Sequence, residues 1–114
     1  MTDIGAQSYS PSAADSTAYV ASAVVKASAG VLMGLSGYNS RTSEQFIQIF
    51  DSATVPANGT APAIVFRVGP ESNFSLDLGE RGRYMADGIA WSNSSTVATK
   101  TLGSADVWMN VLYR

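Results

Sequence analysis

Apolar residues in this chain come in short alternating runs, roughly ten residues apart, each closed by glycine, proline or asparagine. A helix needs an unbroken 3.6-residue period over about ten residues or more, and this punctuation denies it the length. A strand needs only a period of two over a few residues. The spacing therefore predicts an antiparallel all-β domain, a sandwich or a barrel.

The individual runs carry the pattern. Over 63–68, Ile64, Phe66 and Val68 oppose Val65 and Arg67. Over 74–78, Phe74, Leu76 and Leu78 oppose Ser75 and Asp77. Over 45–50, Phe46, Gln48 and Phe50 oppose Ile47 and Ile49; both sides are partly apolar, so this strand is expected to be central and covered on both faces. The closing run, 106–113, sets Val107, Met109, Val111 and Tyr113 against Trp108 and Leu112. Residues 30–40 hold Val31, Leu32, Met33, Leu35 and Tyr38, with Gly34 and Gly37 marking a bulge or a close backbone approach. Residues 84–93 contain Met85, Ile89 and Trp91, with a kink at Asp87-Gly88. The run 18–28 is rich in alanine and suits a helix as well as a strand; its strand-like successors favour the strand. Polar turns fall at 39–43, 55–62 (VPANGTAP), 69–73 and 79–82 (GERG). A short strand over 98–102 would be an eighth, so seven or eight antiparallel strands are expected.

Two parts follow. Residues 18–114 form a single β-sandwich domain. Residues 1–17, rich in Ser, Ala and Asp around Pro11, form an N-terminal arm without a core of its own. Two readings of that arm stand: a tail without fixed structure, or an extended arm that orders on a neighbouring subunit.

Composition removes whole classes of function. The chain has no Cys and no His, which excludes thiol chemistry, disulfides and histidine-based acid–base catalysis. Neither Lys26 nor Lys100 sits at a Ser-x-x-Lys spacing. The nine acids are spread singly, mostly at strand ends and turns, where a carboxylate normally caps its own backbone. Asp77 is the exception; it sits mid-strand, where a solvated face or an ion pair with Arg67, Arg81 or Arg83 is expected. No calcium loop, metal cluster or cofactor motif is present, so no cofactor is expected. The seven Lys and Arg are scattered and the net charge is −2, which argues against nucleic acid and against an anionic membrane surface. The polar start lacks a secretory h-region, so synthesis in a cytoplasm is expected. Only 14% of residues are charged, against about 25% in an average soluble protein. Such a surface packs against neighbours rather than repelling them. The Asn-x-Ser/Thr triplets at Asn58, Asn73 and Asn93 are expected in exposed turns. Trp91 and Trp108 lie in apolar runs and are expected in the core. Tyr9, Tyr38 and Tyr84 are candidates for a sugar-stacking platform, to which either Trp would add if exposed.

The series 35–39 (LSGYN), 45–51 (QFIQIFD), 75–79 (SLDLG), 82–90 (GRYMADGIA) and 107–113 (VWMNVLY) resembles small tailed-bacteriophage virion proteins. The resemblance covers residues 30–114. It implies a jelly-roll-like sandwich without enzyme activity, located in the virion. It also implies a head decoration or cement protein, commonly a trimer, whose partners are the major capsid protein or other virion proteins. The alternative on the same fold is a carbohydrate- or receptor-binding module of a tail or fibre, with a glycan as partner. Candidate partner-binding residues are Tyr9 and Pro11 in the arm, Arg41 in the 39–43 turn, and Arg81 and Arg83 around the GERG turn, where guanidinium groups could pair with a partner's carboxylates.

Overall fold

The structure, a computed structural model, describes residues 11–114. Nine strands follow in chain order: β1 (Ser12–Asp15), β2 (Ser22–Lys26), β3 (Gly30–Asn39), β4 (Gln45–Asp51), β5 (Ile64–Val68), β6 (Ser72–Asp77), β7 (Arg83–Met85), β8 (Ile89–Ser94) and β9 (Val107–Tyr113). The first sheet runs β1-β9-β3-β6, with β7 also on β3; the second runs β2-β8-β4-β5. Every pairing is antiparallel. If β6 and β7 count as one interrupted strand, eight strands form two four-stranded sheets, and every connection crosses between the sheets except β4 to β5, which stays within the second. That is the double Greek key of a jelly roll.

The interruption has a local cause. β6 pairs with residues 34–39 of β3 and β7 with residues 30–32, leaving Met33 between them. Met33 is also the bulge against β9, where the register slips between Leu32 and Gly34. The 79–82 turn crosses this gap with Gly79 at φ 77° and Gly82 at φ 63°, in the left-handed region that favours glycine. A Cβ on Gly82 would collide with the Leu32 carbonyl oxygen. The bulge expected inside 30–40 is therefore present. At Gly37 the reason is close approach: a Cβ there would meet the Trp108 carbonyl oxygen and the Phe74 ring.

Alternation sorts side chains as expected on most strands. Leu32, Leu35, Ile47, Ile49, Val68, Met85, Ile89, Trp91, Val107, Met109 and Val111 form one buried cluster between the sheets. Burying each large member contributes about 1.5–3 kcal/mol. Phe66 of β5 and Phe74 of β6 meet across the sandwich at a centroid distance of 5.8 Å.

Several expectations need correction. Trp108 is half-buried on the outer side of β9, edge-on to Tyr19 at 5.5 Å, because its parity opposes that of Val107 and Met109. The run 18–28 is a strand only over Ser22–Lys26, with Val20 forming an isolated bridge to Val107. Residues 98–102 make no strand; Leu102 only bridges Ser94. Asn93 is fully buried on the core side of β8, donating from Nδ2 to the Ser104 carbonyl at 3.0 Å. Among the described residues nine strands stand where seven or eight were expected, because the 84–93 run divides into β7 and β8 and β1 was not foreseen. Within the 1–17 segment, Ser12–Asp15 pair with residues 110–113 of β9 and turn Ala14 toward the core.

Candidate functional site

The ionisable groups serve first to hold the chain's own turns. Asp51, at the end of β4, accepts backbone N–H groups of Asp87 at 2.8 Å, Ala86 at 3.2 Å and Gly88 at 3.4 Å. The Asp87 bond foremost, with the other two and the Arg83 charge, holds its carboxyl below the ordinary aspartate range, while desolvation opposes them. Of the two expectations for Asp77 the solvated face holds: it is exposed on β6 and makes the turn at Gly79, accepting its N–H at 2.8 Å. Arg67 pairs with Glu44. Among the described residues, no three acids converge as a metal centre requires.

The two outer faces of the sandwich differ. The outer face of the second sheet is covered by two loops laced together. Gln48, central in β4 and fully buried, aims its side-chain amide outward and donates to the carbonyls of Thr96 at 2.9 Å, Thr99 at 3.1 Å and Val97 at 3.2 Å. The 95–102 loop is in turn tied to the 55–62 loop. Gly59 N donates to Lys100 O, Lys100 N to Thr60 O, and Leu102 N to the Asn58 side-chain oxygen. Phe50 is 2% exposed beneath them. The expectation that 45–50 is covered on both faces thus has a specific cover.

Among the described residues the first sheet carries no such cover. Its outward side chains fall into rows fixed by register. One row is Trp108 on β9, Tyr38 on β3 and Asn73 on β6; the next is Asp15 on β1, Asn110, Ser36 and Ser75; the third is Ala13, Leu112, Gly34 and Asp77. Small residues at Gly34 and Ser36 keep the middle of the sheet low. A depression of about 480 Å³ lies over the second and third rows, walled by Met33, Leu112, Asp15 and Asp77. A second, of about 350 Å³, lies between Trp108, Tyr38 and Asn73. Ser36 and Asn110 line both, so the two form one groove across the sheet.

The candidates from sequence do not come together there. Tyr9 lies outside the described residues. Pro11 is exposed just ahead of β1. Arg41 is engaged within its own chain, donating to Ser43 Oγ at 2.9 Å and Ser104 Oγ at 2.5 Å, and facing Asp106 at 3.5 Å. Arg81 is exposed on its turn, and Arg83 is exposed on β7, with one nitrogen 3.3 Å from the Ala63 carbonyl. Of the stacking candidates, Tyr38 lies in the groove and Trp91 is core. Tyr84 is 66% exposed on β7, outside the groove. The groove residues Ser36, Ser75 and Asn110 were missed, although strand parity in 106–113 already sets Asn110 and Trp108 on the side away from the core.

No family model and no curated protein matches this chain. Among solved structures it is similar to the coat protein of Tobacco streak virus, at 12% identity and a TM-score of 0.45, over 89% of this chain and 83% of that one. A likeness of that degree adds nothing to the strand order, which stands on the pairing itself.

Proposed function

We propose that this chain is a non-enzymatic structural protein of a virus particle: a decoration or cement protein that binds the assembled head of a tailed phage, as a trimer. The observation that carries this reading is a jelly roll whose Asp51, Asp77, Gln48 and Arg41 hold its own turns and loops, leaving a rigid, weakly charged exterior. The resemblance of the sequence series to small phage virion proteins points the same way. The partners are the major capsid protein or other virion proteins, and the place is the virion. Work is done by surface complementarity: each contact is modest, and many symmetric copies add avidity. Binding the assembled shell and not its free subunits stabilises the shell by mass action. Arg81, Arg83 and Pro11, exposed, and Tyr9 in the arm are the proposed contacts; Arg41 serves by shaping its turn.

Particles of the phage that encodes the chain, prepared with and without it, provide the test. Stoichiometric protein on purified heads, and heads that burst at lower temperature without it, are expected. Particles that lack the protein, or that burst alike in both preparations, would overturn the reading. Removal of residues 2–10, a deletion that spares β1, is expected to weaken head binding at unchanged melting temperature. Unchanged binding would remove the arm from the mechanism.

A further inference from the structure

We infer that the groove on the outer face of the first sheet is a binding site for a short, neutral oligosaccharide. This goes beyond the structural role proposed above and does not depend on it.

Three properties of the groove select that chemistry. At one end Trp108 and Tyr38 are cross-strand partners on the outward side, and Tyr19 is set against Trp108 at an interplanar angle of 77°. Tyr19 is 46% exposed, so this aromatic group meets solvent rather than filling a core. Aromatic faces combine a large apolar area with a polar rim, which suits the C–H faces of a pyranose ring. From there the groove continues over Asn73, Asn110, Ser36 and Ser75, then Asp15 and Asp77. Amides, hydroxyls and carboxylates supply both donors and acceptors, as a polyol requires. Neither depression is lined by a Lys or Arg, and two carboxylates stand at its far end. An acidic sugar would meet repulsion there with no cation among the described residues to offset it, so a neutral sugar is favoured over an acidic one.

Length argues for several linked rings. Successive rows are two residues apart along antiparallel strands, about 7 Å, so three rows span about 14 Å. The volumes fall within the range of sites that take small molecules, about 300–1,000 Å³. A flat contact with another protein would fit the groove poorly, because its floor is lowered at Gly34 and Ser36 and the carboxylates of Asp15 and Asp77 stand in its wall beside Met33 and Leu112.

Calorimetric titration of the purified chain with cellotetraose, chitotetraose and maltotetraose tests the inference, with sialyllactose as the acidic comparison. At least one neutral probe is expected to bind saturably. Trp108→Ala and Tyr38→Ala are each expected to weaken that binding at least tenfold, about 1.4 kcal/mol. Trp108→Phe should restore part of it, and Tyr84→Ala, at an exposed tyrosine outside the groove, should leave it unchanged. Circular dichroism and melting temperature establish that each variant folds. If Trp108→Ala does not fold, Asn110→Ala and Ser36→Val at the centre of the groove take its place, with the same loss expected. No saturable binding of any neutral probe, binding of sialyllactose as strong as theirs, or full binding by folded groove variants would each overturn the inference. Particle localisation is a separate measurement, so this inference and the virion reading fail independently.

Discussion

At the scale of single residues, the turn between β5 and β6 holds an avoidable strain. Pro70 leads into Glu71, which has φ 46°, the left-handed region that costs a non-glycine residue about 1–2 kcal/mol. The turn is fixed from outside, because Glu71 N donates to the Arg41 carbonyl at 2.8 Å. Glu71→Gly relieves the strain at the cost of a more flexible unfolded chain, so a net gain of up to about 1 kcal/mol is expected. Chemical denaturation should show it as a higher midpoint at unchanged slope. Asp51 makes a pH-dependent contribution of determinable sign. Its folded-state pKa is depressed, so the stabilisation is complete above its unfolded value, about 3.9, and fades as pH falls through the folded value. Asp51→Asn should lower the melting temperature at neutral pH, and the gap to the unaltered protein should close in acid. A gap that persists undiminished at pH 2 would mean the carboxylate's charge is not what holds residues 86–88. These details were only partly legible in advance. The parity of 106–113 places Trp108 outward, yet its apolar setting suggested the core; what decides is that Val107, Met109 and Val111 already fill that side.

At the scale of elements, the cover on the second sheet depends on Gln48. The two amide hydrogens of Gln48 are shared among three loop carbonyls, of which that of Thr96 also accepts from Ser94 Oγ and that of Thr99 from Thr96 Oγ1. Gln48→Ala removes the bonds from the strand to the loop and leaves the space beneath the loop unfilled. Losing a buried partner costs about 1–3 kcal/mol, less where water can enter. A loss of about that size is expected in thermal unfolding, together with faster proteolytic cleavage within 95–99. Cleavage at an unaltered rate would mean that the Asn58, Thr60 and Lys100 bonds hold the loop alone. The strands of the second sheet's centre were legible from alternation, and so were β5, β6 and β9. β1 was not: Ser12–Asp15 is short, polar and exposed on three of its four residues, so nothing in its pattern distinguishes an edge strand from a tail. β7 escaped because three residues carry too little periodicity to separate from β8.

At the scale of the molecule, spacing gave the layer architecture, but strand order lies beyond the reach of local pattern because it is set by partners far apart in the chain. β1 pairs with β9, Val20 bridges Val107, and β9 completes the first sheet between β1 and β3. The central strand of that sheet is thus the last to be made, and β1 can dock only once β9 is in place. Closing such long loops before their contacts form is entropically costly, and folds dominated by non-local pairing fold on a timescale of roughly milliseconds to seconds. Two consequences can be measured by stopped-flow mixing. Refolding should fall in that slow range. Ala14→Gly, which removes a methyl group from β1 against the core and loosens the strand, should speed unfolding while leaving the folding rate nearly unchanged, because β1 docks after the rate-limiting closure of β9. Val111→Ala, on β9 itself, should slow folding instead. If Ala14→Gly slowed folding as much as Val111→Ala, the two terminal strands would pair early, and the jelly roll would assemble from its ends rather than around β3.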